Sequence, residues 1–200
     1  MRAITELQTH AACHANRLTL LPGNVPIQEH MEVLLAEQRP FTVAYIDLDH
    51  FKPYNDVYGY ARGDSMIRML RELLLSSADP QLDFVGHIGG DDFMVLFRSP
   101  DWKNRSQCLL KEFEQKVKSL FKPEHVLENG YSSEGRRGVV QNFPLSSLSI
   151  GVIEARQDRY LTHNEVAAAT HAKHLAKSKQ GNSLFVEQRK VEHLSAERVL

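Results

Sequence analysis

Residues 84–97 read FVGHIGGDDFMVLF: two short apolar runs, rich in β-formers, separated by two glycines and two aspartates. So short a connection joins neighbouring antiparallel strands, since a parallel return needs a crossover of a dozen or more residues. The sheet is therefore at least partly antiparallel, and the mixture of helical and strand periods around it makes the class α+β. A turn at Leu21-Pro22-Gly23-Asn24 precedes a helix that turns Ile27, Met31, Leu34 and Leu35 inward. FTVAYID, residues 41–47, is apolar on both faces and reads as a buried strand ending in a carboxylate. A loop rich in Asn, Asp and Gly is expected next, then a helix from about Gly63 with Met66, Ile67, Leu70, Leu73 and Leu74 on one face.

Further on, a helix over about 103–121 carries Leu110, Phe113, Val117 and Leu120 inward. The charged stretch 122–143, with Gly130, Gly135 and Gly138, has room for a small hairpin. A strand near 145–153, a helix near 164–178 with Ala169, Ala172 and Ala176 on one face, and a short strand from Leu184 to Val186 complete the order. Residues 1–17 read as a polar connector helix with a thin stripe at Ile4, Leu7 and Ala11, and 188–200 as a tail. Residues 18–187 form one domain with no internal repeat.

Composition removes several function classes. With 42% hydrophobic and 24% charged residues the chain is an ordinary folding sequence rather than a disordered one. A formal charge of −1 offers no basic footprint for nucleic acid. No apolar run approaches the ~18 residues of a membrane span, and the first residues lack the apolar core of a secretory signal. The two cysteines, Cys13 and Cys108, fit reduced thiols and an expected cytoplasmic location. His10, Cys13 and His14 have helical metal-ligand spacing, but three candidates do not close a zinc site, and a solvated helix is the expected reading.

The chemistry gathers at two places. One strand ends Asp47-Leu48-Asp49, and the hairpin tip is Gly89-Gly90-Asp91-Asp92. If these strands are neighbours, four carboxylates converge at one sheet edge, which is unfavourable unless a cation neutralises them. Hard divalent ions take carboxylate and carbonyl oxygens and leave positions for phosphate oxygens. Glycines without a Cβ let a polyphosphate approach backbone N–H groups. The combination points to metal-assisted phosphoryl or nucleotidyl transfer. A surface Asp-Asp turn would give the same tip, so the decision falls to the rest of the pattern.

That pattern is IDLDHFKPYNDVYGYARGD over residues 46–64, HIGGDDF over 87–93, LSIGV over 148–152, and Ala176-Lys177 followed by Gly181-Asn182. In this order the motifs closely resemble the GGDEF (diguanylate cyclase) family over roughly residues 15–187. The resemblance implies a palm-like fold similar to nucleotide cyclases and polymerases, with a central, mostly antiparallel five-stranded sheet flanked by helices. It implies that Asp47 and Asp91 hold Mg²⁺ or Mn²⁺ through their carboxylates and Leu48 through its carbonyl. Asp91, with Asp92 beside it, is the implied catalytic centre, and Asp91 the base for the GTP 3′-hydroxyl. Asn55 and Asp64 are implied to read guanine. Phe51, Lys52 and Gly90 would line the phosphates, and Lys177 would reach the triphosphate. The implied reaction condenses two GTP into cyclic di-GMP with release of pyrophosphate and needs a homodimer.

Several positions depart from the family pattern. Asp92 stands where glutamate is common, and His87 and Asn16 replace an arginine and an aspartate expected to pair, leaving a neutral contact. The arginine after Gly181 is missing. Pro80 stands where the inhibitory product site needs an arginine, three residues before the aspartate Asp83, so that site is expected to be absent, and Tyr60 replaces a histidine. LTLLPGN, GHIGGDDF and FPLSSLSIGV together resemble the subset of GGDEF domains that lies C-terminal to EAL phosphodiesterase and CBS domains. Two functions remain open here: a diguanylate cyclase, or a GTP-binding regulatory module controlling a linked EAL domain.

Overall fold

The computed structural model describes residues 14–134, 140–155 and 172–187. The elements are α1 (Asn24–Glu37), β1 (Phe41–Leu48), α2 (Phe51–Tyr58), α3 (Tyr60–Ser77), β2 (Phe84–Gly89), β3 (Asp92–Phe97) and α4 (Trp102–Val117). A 3₁₀ turn (Lys118–Leu120), α5 (Pro123–Leu127), β4 (Gly130–Glu134), β5 (Val140–Pro144) and β6 (Leu148–Ala155) follow; residues 172–177 are helical, and β7 (Ser183–Val186) ends the described chain.

Five strands form one sheet in the order β2-β3-β1-β6-β7. Every neighbour is antiparallel except β6 and β7, which run parallel. β1 is central and buried along its length, which is why its sequence is apolar on both faces. Alternate residues go to opposite layers. Ala44, Ile46 and Leu48 join Met66, Ile67, Leu70 and Leu74 of α3 and Phe113 of α4 in the larger core, whereas Phe41 and Val43 pack with Ile27, Met31 and Leu34 of α1. β4 and β5 make a separate two-stranded hairpin.

Three expectations need correction. The segment 51–58 is a helix, not a loop. Its Pro53 falls in the first turn, where the missing N–H costs nothing, and Gly59 at φ 81° separates it from α3. The central hairpin is also tighter than four connecting residues: Gly89 pairs with Asp92, so only Gly90 and Asp91 form the tip, and a register shift between His87 and Gly89 absorbs the extra length. Of the connector helix, residues 1–13 (with His10 and Cys13) lie outside the described residues. Residues 14–17 are not helical: Ala15 bridges Pro22, and Asn16 Oδ1 accepts from the backbone N–H groups of Leu18 and Thr19 at 2.9 and 3.2 Å.

Candidate active site

The end of β1 sets the site. Asp47 lies directly opposite Asp92 of β3 on one side and Ser149 of β6 on the other. Directly opposite residues share a sheet face, so the Asp47 and Asp92 carboxylates project together. Asp49 is two residues on, on the same face, but it is spent on structure: Ser147 Oγ donates to it at 2.7 Å and Ser149 Oγ at 2.9 and 3.0 Å. Burial first, and Asp47 last, push its pKa up against those hydrogen bonds. Of the four carboxylates expected at this edge, three are available for chemistry.

Leu48 is buried and pairs with Leu148. The next N–H, that of Asp49, donates to Ser147 O at 2.8 Å, toward β6. On an extended antiparallel strand successive residues turn their N–H and C=O to opposite sides. The Leu48 carbonyl therefore faces the β3 side, just beyond the Asp47–Asp92 pair where that ladder stops.

The tip depends on its glycine. Gly90 sits at φ 59°, open to glycine without the strain a side chain would bring. His87 holds it: the ring Nε2 lies 3.1 Å from Gly90 O and Nδ1 lies 2.9 Å from Thr19 Oγ1. This matches a neutral ring that donates through Nε2 and accepts at Nδ1. Burial lowers the pKa of His87, which also stacks on Phe93 with centroids 4.1 Å apart. The neutral contact expected between His87 and Asn16 thus runs through Thr19 instead.

Asp91 lines an open cleft of about 670 Å³ with Phe51, Lys52, Asn55 and Asp56. Its carboxyl is pushed up by burial, then by the charges of Asp47 and Asp92. Asp92 is likewise raised, by burial first and by Asp47. Asn55 presents a buried Oδ1 with no hydrogen-bond partner. It fits only because residue 63 is glycine: a Cβ there would stand 1.9 Å from that oxygen. Asp64 follows Gly63 on α3, half-exposed, with Arg68 Nη2 4.0 Å away; it is near Asn55 in the chain but is not part of the cleft lining.

Two lysines reach the acids from the helical residues 172–177. Lys177 forms an ion pair with Asp47 Oδ1, and Lys173 Nζ lies 3.0 Å from Asp47 Oδ2 and 2.7 Å from Asp92 Oδ1. Burial opposes charge on Lys173, but the hydrogen bonds to Asp92 and Asp47 outweigh it and hold its pKa above the ordinary value. Among the described residues no three His, Cys, Asp or Glu side chains form a ready metal cage. Two acids and a carbonyl, with a phosphate to complete the shell, nevertheless suit a hard divalent ion, which needs few protein ligands.

The model of the family described as "Diguanylate cyclase, GGDEF domain" matches residues 14–183. The chain belongs to the GGDEF family. Among curated relatives of this GGDEF domain, the probable diguanylate cyclase DgcT of Escherichia coli (strain K12) is 32% identical over 85 residues, 42% of this chain and 18% of that protein. The bifunctional diguanylate cyclase/cyclic di-GMP phosphodiesterase MucR of Pseudomonas aeruginosa is 32% identical over 111 residues, 52% of this chain and 16% of that protein. The chain thus spans less than a fifth of the length of either. Among solved structures, the GGDEF domain of DgcB from Caulobacter crescentus in complex with c-di-GMP superposes with a TM-score of 0.63 at 22% identity, covering 86% of this chain and 95% of that one. It shows the same fold, α+β with a mostly antiparallel sheet. No described helix is long and apolar enough to cross a membrane.

Within this GGDEF domain, sequence reading missed Lys173. Its only signal was a lysine at i−4 from Lys177, on the face that carries the small alanines. Two further positions that the sequence singles out also have structural roles. Asp83 accepts from the N–H groups of Arg98 and Ser99 and from Ser99 Oγ, each at 2.9 Å, and from Asp79 N at 2.8 Å, so its carboxylate is committed to a turn. Asn182 accepts from Leu148 N and donates to Leu110 O, both at 2.8 Å. It ties β6 to α4 and is no vacancy for an arginine.

Proposed function

We propose that this domain is a diguanylate cyclase that binds GTP and condenses two molecules into cyclic di-GMP. The observation that carries this reading is the meeting of Asp47, Asp92 and Asp91 at one sheet edge, beside a cleft lined by Phe51, Lys52 and Asn55. Asp47, Asp91 and the Leu48 carbonyl would hold the divalent ion, Mg²⁺ or Mn²⁺, which when bound polarises phosphate oxygens and offsets their charge. Asp91 accepts the proton of the attacking 3′-hydroxyl; burial and the charges of Asp47 and Asp92 raise its pKa, which strengthens it as a base. Each condensation forms a bond from the 3′-oxygen to the α-phosphorus of the other GTP and breaks the bond to pyrophosphate. Asn55 and Asp64 orient guanine, Phe51, Lys52 and Gly90 line the phosphates, and Lys177 swings from Asp47 to the triphosphate. A homodimer, a cytoplasmic location and linkage to EAL and CBS domains in a longer protein belong to the same reading.

A second reading is a GTP-binding regulatory module acting on a linked EAL phosphodiesterase. It is favoured by the engagement of Asp92 with Lys173 and by Asn182, which leaves no cation after Gly181. Incubation with GTP and Mg²⁺ or Mn²⁺, followed by chromatography, separates the two. The cyclase yields cyclic di-GMP, and Asp91→Asn abolishes it while circular dichroism and GTP binding persist. Wild-type protein that binds GTP but forms no product supports the regulatory module.

A further inference from the structure

We propose that Lys173 is a resident counter-cation of the acid edge, occupying the Asp47–Asp92 pair until a divalent ion displaces it. The inference rests on reading that edge as a cation site and adds how the site is kept before metal arrives. Lys173 is 7% exposed, and its ammonium bridges both carboxylates, at 3.0 Å from Asp47 Oδ2 and 2.7 Å from Asp92 Oδ1. The same nitrogen lies 4.2 Å from the centroid of the Tyr45 ring, a second favourable contact for a cation. A lysine so deeply placed is tolerated only when it is paired.

The seat is built by the backbone. At Gly151 of β6 a Cβ would stand 2.1 Å from Lys173 N and 2.6 Å from Lys173 Cα, so only glycine lets the helical residues come this close to the sheet. The two lysines are then unequal. Lys177 is 35% exposed along its side chain and, among the described residues, is ion-paired with Asp47, whereas Lys173 is 8% exposed and committed to both acids. With aspartate at 92 the carboxylate ends close to the sheet, within reach of Lys173. A divalent ion taken up by Asp47, Asp91 and the Leu48 carbonyl would share the Asp47 carboxylate with that ammonium and repel it, so metal affinity is held down by an internal competitor.

The test uses Mn²⁺ and no nucleotide. Mn²⁺ binding to wild type and Lys173→Met is followed by electron paramagnetic resonance of the free ion. Removing one adjacent positive charge tightens Mn²⁺ binding by at least about tenfold, the effect expected of a unit charge a few ångströms away in a partly screened site. Equal affinity in the two proteins, or no Mn²⁺ binding by either, overturns the proposal and leaves the cyclase reading to the assay for cyclic di-GMP. Should Lys173→Met fail to fold, reductive methylation of wild type with peptide mapping decides. Lys173 should be protected relative to the exposed Lys103 in metal-free protein and become reactive at saturating Mn²⁺. Protection that Mn²⁺ does not relieve, or no protection at all, overturns displacement.

Discussion

His87 stands where the family carries arginine, and its neighbours explain what a histidine achieves there. The ring is 2% exposed and lies between the Thr19 hydroxyl and the Gly90 carbonyl, where burial favours the neutral tautomer that accepts from the first and donates to the second. An arginine would bring a charge and no acceptor for Thr19. Burial lowers the folded pKa below the ordinary 6.5. The unfolded chain therefore binds more protons than the folded one between the folded value and 6.5, and stability rises with pH across that window. The contribution is whole above 6.5 and is lost as pH falls through the lower folded value. His30, also lowered by burial, acts in the same direction, so the comparison must be with a variant. Urea denaturation of wild type should show falling stability from pH 7.5 to 5, and His87→Gln should flatten that slope. A slope identical in the two proteins would remove His87 as the cause.

Among the elements, β6 and the helical residues 172–177 form the most demanding contact, because Gly151 faces main-chain atoms that cannot swing aside. Gly151→Ala forces the helix off the sheet, and overpacking of this kind costs about 1–3 kcal/mol. The same shift lifts Lys173 from Asp47 and Asp92, so its methylation should rise with the loss of stability. A cost below about 0.5 kcal/mol in chemical denaturation would show that the contact yields. This contact also marks the limit of what the sequence made legible. α1, α3, β1 and β6 followed from apolar period, since each buries one stripe or both faces against a layer. α2 did not, because Asn, Asp, Pro and Gly within ten residues imitate a loop while the tertiary layer holds a helix. The acid pair Asp47 and Asp92 was legible through strand adjacency. Lys173 was not, because its partner Asp92 is 81 residues away in the chain and no local period announces an ion pair. Asp49 was legible as an acid but not as the acceptor of two serines 98 and 100 residues further on.

At the scale of the molecule, the described residues bring Asp47, Asp91 and Asp92 together once, beside one nucleotide-sized cleft. A product made from two GTP contains two new phosphodiester links, and each 3′-hydroxyl must meet the α-phosphate of the other molecule. One acid edge per chain can prepare one GTP, so on the cyclase reading the second comes from a second chain, with the open clefts facing. The encounter then enters the rate law. At concentrations below the dimer dissociation constant, the initial rate of cyclic di-GMP formation should rise with the square of protein concentration, and activity per chain should rise linearly before it levels off. GTP binding per chain, measured under the same dilution with Asp91→Asn to prevent turnover, should stay constant, because one cleft suffices for it. Activity per chain that is independent of concentration, in protein shown to be monomeric by sedimentation, would mean that a single chain completes the reaction and that a second nucleotide site lies outside the cleft beside Asp91.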